Sequence, residues 1–154
     1  MTKKDSFTIF LINQKKRPER LVYSINQLSK VGLTDYIIRK EACSVERAKR
    51  LKYEYITEEV QKNIDNNLIS CNILPTWGAV ACAISHIEIW KMIIEENMKY
   101  ALIMEDDNEI YDIDKFNWSF QNASKKIKKT EYISMIISLC SKINGIISDG
   151  TSLI

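Results

Sequence analysis

Three carboxylates stand side by side at Glu105-Asp106-Asp107, directly after the apolar run Tyr100-Ala-Leu-Ile-Met104. Adjacent carboxylates repel one another and are tolerated best where a cation or a ring of donors neutralises them. A hard divalent ion that takes one or two carboxylates and fills its shell with water and phosphate oxygens meets that need. The plainer alternative is an acidic loop start in water. A second pair, Asp112-Ile-Asp114, has the bare D-x-D spelling but no preceding strand to orient it. On the basic side, Lys15, Lys16, Arg17 and Arg20 follow the apolar stretch Phe7 to Ile12. Arginines at a helix start, with its free backbone amides, form a seat for a diphosphate; a solvated helix face would use the same residues.

The scarce residues narrow the chemistry further. Four glycines, Gly32, Gly78, Gly145 and Gly150, allow neither a Walker-type phosphate loop nor a G-x-G-x-x-G turn. A single histidine, His86, removes every two-histidine metal motif. Within an apolar helical pattern it reads first as a hydrogen-bonded core residue. Trp77 and Trp90 read likewise as core first and sugar platforms second. The cysteines at 43, 71, 82 and 140 contain no C-x-x-C pair, which argues against structural zinc and dithiol redox chemistry. Cys82 and Cys140 are expected to be small buried hydrophobes in a reducing compartment.

These groups need a scaffold, and the apolar pattern supplies one. Ser6 to Ile12 reads as a strand buried on both faces, as in the middle of a parallel sheet. Pro18 suits a first helical turn, and Leu21, Val22, Ile25, Leu28 and Val31 recur at helical spacing up to Gly32. Tyr36 to Arg39 makes a second strand and completes a βαβ unit. Ser44 to Ile64 is a solvent-facing helix broken near Ile56-Thr57, and Asn63 to Asn72 a loop. Thr76 caps a strong helix that runs to about Asn97 through Val80, Ala81, Ile84, Ile87, Trp90, Ile93 and Ile94. Tyr100 to Met104 is a buried strand that delivers the acidic triplet at its carboxyl end, where open α/β sheets keep their ligands. Asp112 to Asn122 carries no clear element, and Tyr132 to Leu139 reads as one more strand.

Length and charge set the bounds. At 154 residues the expectation is one α/β domain, 1–154. Twenty-two basic against twenty acidic residues, a net +2, give no reason to invoke a nucleic-acid partner. The Phe7 to Ile12 stretch behind Lys3 and Lys4 is too short for a signal-peptide core, so a cytoplasmic protein is expected. The formal glycosylation triplets at Asn117 and Asn122 would matter only after secretion. The Lys125 to Lys129 cluster is either a solvated face or a patch for peripheral contact with an anionic cytoplasmic membrane face.

Taken in order, three segments resemble glycosyltransferase family 25, which includes lipooligosaccharide and collagen galactosyltransferases. The first runs from Ile9 to Leu21 with Asn13 and an R-P-x-R-L turn; the second is the G-x-x-x-C-x-x-S-H-x-x-x-W helix from Gly78 to Trp90. The third is Tyr100 to Asp107, a strand ending in an E-D-D version of the D-x-D signature. The resemblance implies a GT-A-like (Rossmann-like) nucleotide-sugar-binding sheet and a UDP-sugar donor. It also implies a divalent cation such as manganese and hexose transfer, of galactose or glucose, to a saccharide or glycolipid acceptor such as lipooligosaccharide. Under it Asp107 and Asp106 ligate the metal, with Glu105 assisting at metal water or ribose. Asn13, Arg17 and Arg20 border the uridine and diphosphate, and Ser85 and His86 face the donor side.

Members of the family commonly run longer, so the chain is expected to be a C-terminally truncated donor-binding portion. The general base is then unassigned, with Glu109, Asp112 and Asp114 the nearby substitutes. A non-catalytic remnant or binding module that keeps the donor fold is the alternative. An unrelated metal-dependent phosphotransfer domain is a third reading, disfavoured by the glycine count.

Overall fold

Strand β1, Thr8–Asn13, is buried at all six positions, because it lies inside a four-stranded parallel sheet of order β2-β1-β3-β4. Its neighbours are β2, Ile37–Glu41, and β3, Tyr100–Glu105, with β4, Met135–Leu139, beyond β3. The computed structural model describes residues 7–67, 76–98, 100–127 and 135–139, with side chains over 7–67, 76–98 and 101–122. The register sets Asn13 against Glu41 and Ile12 against Glu105, so the three carboxyl ends finish together. The chain leaves β1 toward β2 on one side and returns through helices to β3 on the other. That reversal opens a crevice above the carboxyl ends of β1 and β3.

Alternation along β1 and β3 divides the core into two layers. Ile9, Leu11, Leu102 and Met104 meet Leu28 of helix α1, Pro18–Ser29, with Phe116 and Phe120 of α5, Ile113–Ile127, packed against them. Phe10, Ile12, Ala101 and Ile103 meet Ile89 and Ile93 of α4, Trp77–Glu95. Full burial of such a side chain stabilises the fold by about 1.5–3 kcal/mol. A third cluster packs Cys43, Ala48 of α2, Val45–Tyr55, and Ile64 of α3, Glu58–Asp65, onto Val80, Ala81 and Ile84 of α4. The family expectation of a Rossmann-like α/β sheet flanked by helices therefore holds.

Helix ends follow local chemistry. Ser44, Thr57 and Thr76 accept the amides of Arg47, Val60 and Ala79 and so cap α2, α3 and α4. Gly32, at φ +69°, closes α1: its amide reaches Ser29 O and that of Leu33 reaches Leu28 O. Asn97, at φ +50°, closes α4 the same way, Met98 N reaching back to Ile93 O. By length and composition α4 could cross a membrane, yet here it is a core helix with Val80, Ile84, Ile89 and Ile93 buried.

Several expectations need correction. Asp112 to Asn122 is not irregular: it begins α5, whose first turn Asp112 caps by accepting Lys115 N at 2.8 Å. Asn63 to Asp65 end α3 instead of starting a loop. The α2–α3 pair is not merely solvent-facing, since it covers one side of α4. Tyr36 belongs to a 3-10 turn that precedes β2. Val22, Trp90 and Ile94 are exposed, so the apolar stripes of α1 and α4 are narrower than the helical spacing predicts. The basic cluster at 125–129 and Cys71 and Cys140 lie outside the described side chains.

Candidate functional site

At the carboxyl end of β1, Asn13 is only 1% exposed and uses its whole amide. Its Nδ2 donates to Asp106 Oδ2 at 2.7 Å and to Arg17 O at 2.9 Å, while Oδ1 accepts from Arg39 Nε at 3.1 Å. One side chain thereby joins the end of β1 to the middle of β2, to the residue after β3 and to the start of α1. Asp106 is buried and receives Arg20 Nη1 on its other oxygen at 3.3 Å. A buried carboxylate needs such partners, because desolvation without them costs several kcal/mol. Behind the triplet, Asn108 donates to Glu105 O at 2.8 Å, and Gln27 of α1 accepts Ile110 N at 3.3 Å. The turn that carries the acidic residues is thus fastened to both the sheet and α1.

Above this floor lies a cleft of about 510 Å³. Its walls come from the β1–α1 loop (Gln14, Lys15, Lys16), from Arg20, from the β2–α2 junction (Glu41 to Glu46), from one face of α4 and from Glu105 to Asp107. Asp107 is exposed to the cleft while Asp106 is buried. The amino-terminal turns of α2 and α4 both reach the lining, through Ser44 to Glu46 and through Gly78. Positive helix ends and three cationic side chains therefore face a set of carboxylates across one space. Hydrogen bonds from its own backbone amide, then from Ser44, hold the Glu46 carboxyl below its ordinary range.

Each predicted residue has a definite position. Arg20, Ser85, Glu105, Asp106 and Asp107 come together in the cleft lining. Asn13 lies beneath them and does not line the cleft. Arg17 turns to Glu19, its Nε donating to Oε1 at 2.7 Å, and stays outside the lining. Ser85 Oγ donates to Ala81 O and accepts Cys43 N, both at 2.8 Å, so its hydroxyl staples the β2–α2 junction to α4. His86 is buried, as expected of a hydrogen-bonded core residue, with Nε2 3.2 Å from Glu105 Oε1.

Some contributors escaped the sequence reading. In sequence Arg39 reads only as a strand residue, and nothing local marks it as the partner of Asn13. Cys82, expected to be buried, is exposed on the cleft wall with Sγ 3.5 Å from Glu105 Oε1. The available signal was its i−4 spacing from His86, which sets both on one helical face. Cys43 does behave as a buried thiol, its pKa pushed up chiefly by desolvation. A bidentate Arg47–Glu88 pair, one contact at 3.0 Å, holds α2 against α4 beside it.

A parallel sheet with a carboxylate-bearing cleft at its switch point defines a Rossmann-like α/β protein. The model of Glycosyltransferase family 25 (LPS biosynthesis protein) matches residues 7–142. The chain belongs to that family, and all three resembling segments fall within the match. It is also 29% identical over 110 residues to a Glycosyltransferase 25 family member of Drosophila melanogaster. That similarity covers 64% of this chain and 16% of the fly protein.

Proposed function

We propose that the cleft binds a UDP-sugar with a divalent cation such as manganese and that the protein transfers a hexose, galactose or glucose, to a saccharide. Family membership supports glycosyl transfer, and the family's description as LPS biosynthesis supports a lipopolysaccharide-type glycolipid as acceptor. A cytoplasmic site of action, at the membrane face that carries such an acceptor, belongs to the same reading. The observation that carries the donor site is the pair of unlike neighbours at the β3 end. Asp106 is clamped by Asn13 and Arg20, and Asp107 is left exposed to the cleft.

This donor set fits a hard cation: Asp107 would hold it, and Asp106, whose oxygens already accept two hydrogen bonds, would add charge and fix the turn. When bound there, the ion supplies Lewis-acid neutralisation of the departing diphosphate. The chain's own residues do the rest. Lys15, Lys16 and Arg20 offset phosphate charge, and the amino-terminal turns of α2 and α4, which reach the lining, add the positive ends of their helices. Because Asn13 fastens the acidic turn to the sheet and Ser85 fastens the β2–α2 junction to α4, these groups are oriented before the ligand arrives.

Calorimetry with UDP-galactose and UDP-glucose, each with manganese, tests the reading. Metal-dependent heat that disappears in Asp107→Ala is the expected result. No heat with either sugar nucleotide, or heat unchanged in Asp107→Ala, would overturn it. Formation of a glycosylated product from a donor that binds separates transfer from a module that only retains the donor.

A further inference from the structure

Cys82 and Glu105 on the cleft wall and His86 behind them form a compact group of unlike donors beside the Asp106–Asp107 pair. Their ligand atoms Sγ, Nε2 and a carboxylate oxygen all lie within 4.8 Å of one another. Two edges of that triangle are close to a tetrahedral zinc site. With bond lengths of about 2.1 Å to nitrogen and oxygen and about 2.3 Å to sulfur, the N–O edge is about 3.4 Å and the S–O edge about 3.6 Å. The observed separations are 3.2 Å for His86 Nε2 to Glu105 Oε1 and 3.5 Å for Cys82 Sγ to the same oxygen.

The elements that hold the three donors are rigid. Cys82 and His86 are one turn apart on α4, which is anchored by Ile84, Ile89 and Ile93 in the core. Glu105 ends β3, in register with Ile12 of the buried β1. Cys82 and Glu105 line the cleft whereas His86 is buried behind them, so a fourth coordination position would open toward the cleft. Three protein ligands with one open position is the pattern of zinc sites that accept an exogenous oxygen. A thiolate and an imidazole also select a borderline-soft cation over the hard ions that suit Asp107.

We propose that Cys82, His86 and Glu105 bind one zinc-class divalent cation per chain, with its open position facing the cleft. Cys82 binds as thiolate and its proton passes to solvent. The site ties α4 to the end of β3, and it is independent of which sugar nucleotide the cleft accepts.

The test uses the full chain, zinc and cobalt(II), with no sugar nucleotide. Competition with a chromophoric chelator is expected to give one zinc per chain, and cobalt to give a sulfur-to-cobalt charge-transfer band. Zinc is further expected to shield Cys82 from alkylation, as read by peptide mass mapping. Cys82→Ser, a change at an exposed position, weakens binding more than about tenfold and abolishes the band; Asp107→Asn leaves both intact. The proposal is overturned if no zinc binds or no thiolate band appears. It also fails if Cys82→Ser binds as well as the parent protein, or if Asp107→Asn removes binding instead.

Discussion

Asn13 and Asp106, 93 residues apart, share a 2.7 Å buried hydrogen bond that joins the ends of two neighbouring parallel strands beneath the cleft. Both groups are almost wholly removed from water, so neither can substitute a solvent contact for the other. Such a pair fixes geometry at the point where the acidic turn begins.

Removing the amide exposes the dependence. Asn13→Ala leaves Asp106, Arg39 and the Arg17 carbonyl each short of a partner, and the expected loss is about 1–3 kcal/mol of stability in urea unfolding. Asn13→Asp is expected to cost more at neutral pH, because it sets a second carboxylate against Asp106. An Asn13→Asp variant that melts like the parent protein at neutral pH would exclude this clamp.

The two aspartates should separate cleanly. Asp107→Asn alters an exposed side chain, so its urea midpoint stays near that of the parent while metal-dependent donor binding is lost. Asp106→Asn weakens the charge-assisted contact with Arg20 and lowers stability by about 1–3 kcal/mol. Equal destabilisation by both changes would contradict the division of labour.

The Asp112-Ile-Asp114 spelling belongs to a helix start. Asp112→Ala removes the cap on α5 and is expected to cost about 0.5–2 kcal/mol. Manganese and sugar-nucleotide binding stay unchanged in calorimetry. A variant with normal stability and lost metal binding would reassign the metal to this pair.

Acid should act partly through the helix starts. The carboxyls of Glu19 and Glu46 are held below their ordinary value of 4.5, in each case mainly by a hydrogen bond from the residue's own backbone amide. A carboxyl whose pKa is lower in the folded state stabilises the fold above its unfolded value and loses that contribution as pH falls through the folded one. Stability from these two groups is therefore steady from neutrality to about pH 5 and declines below it. Urea titrations of the Glu19→Gln/Glu46→Gln double variant should show a shallower acid limb; an identical limb would exclude this origin.

Much of the scaffold could be read from single residues. An unbroken apolar run meant a strand covered on both faces, and β1 is that strand. Thr76, Pro18 and Gly32 marked helix ends because capping and φ preference act locally. The position of Glu105 to Asp107 at a strand end was also local information. What the sequence concealed depends on pairing at long range. Arg39 becomes a partner of Asn13 only when β2 lies beside β1. Cys82 became a cleft residue only once Glu105 was brought opposite α4. The Asp112–Asn122 segment reads as mixed because only Phe116 and Phe120 pack toward the sheet while Trp118 between them is exposed, and Asp112 looks like chemistry until Lys115 N is seen bound to it.

The strand order carries a kinetic consequence as well. Ile9 meets Ile37 after a short excursion, whereas it meets Leu102 only after the chain has passed through α4. Loop closure for the second pairing costs about 1 kcal/mol more than for the first. The β1–β2 unit is therefore expected to assemble early and β3 to dock late. The clamp between Asn13 and Asp106 is created only when β3 docks. A nascent or partly unfolded chain has its acidic triplet detached from the basic loop, and the cleft comes into being when β3 joins β1.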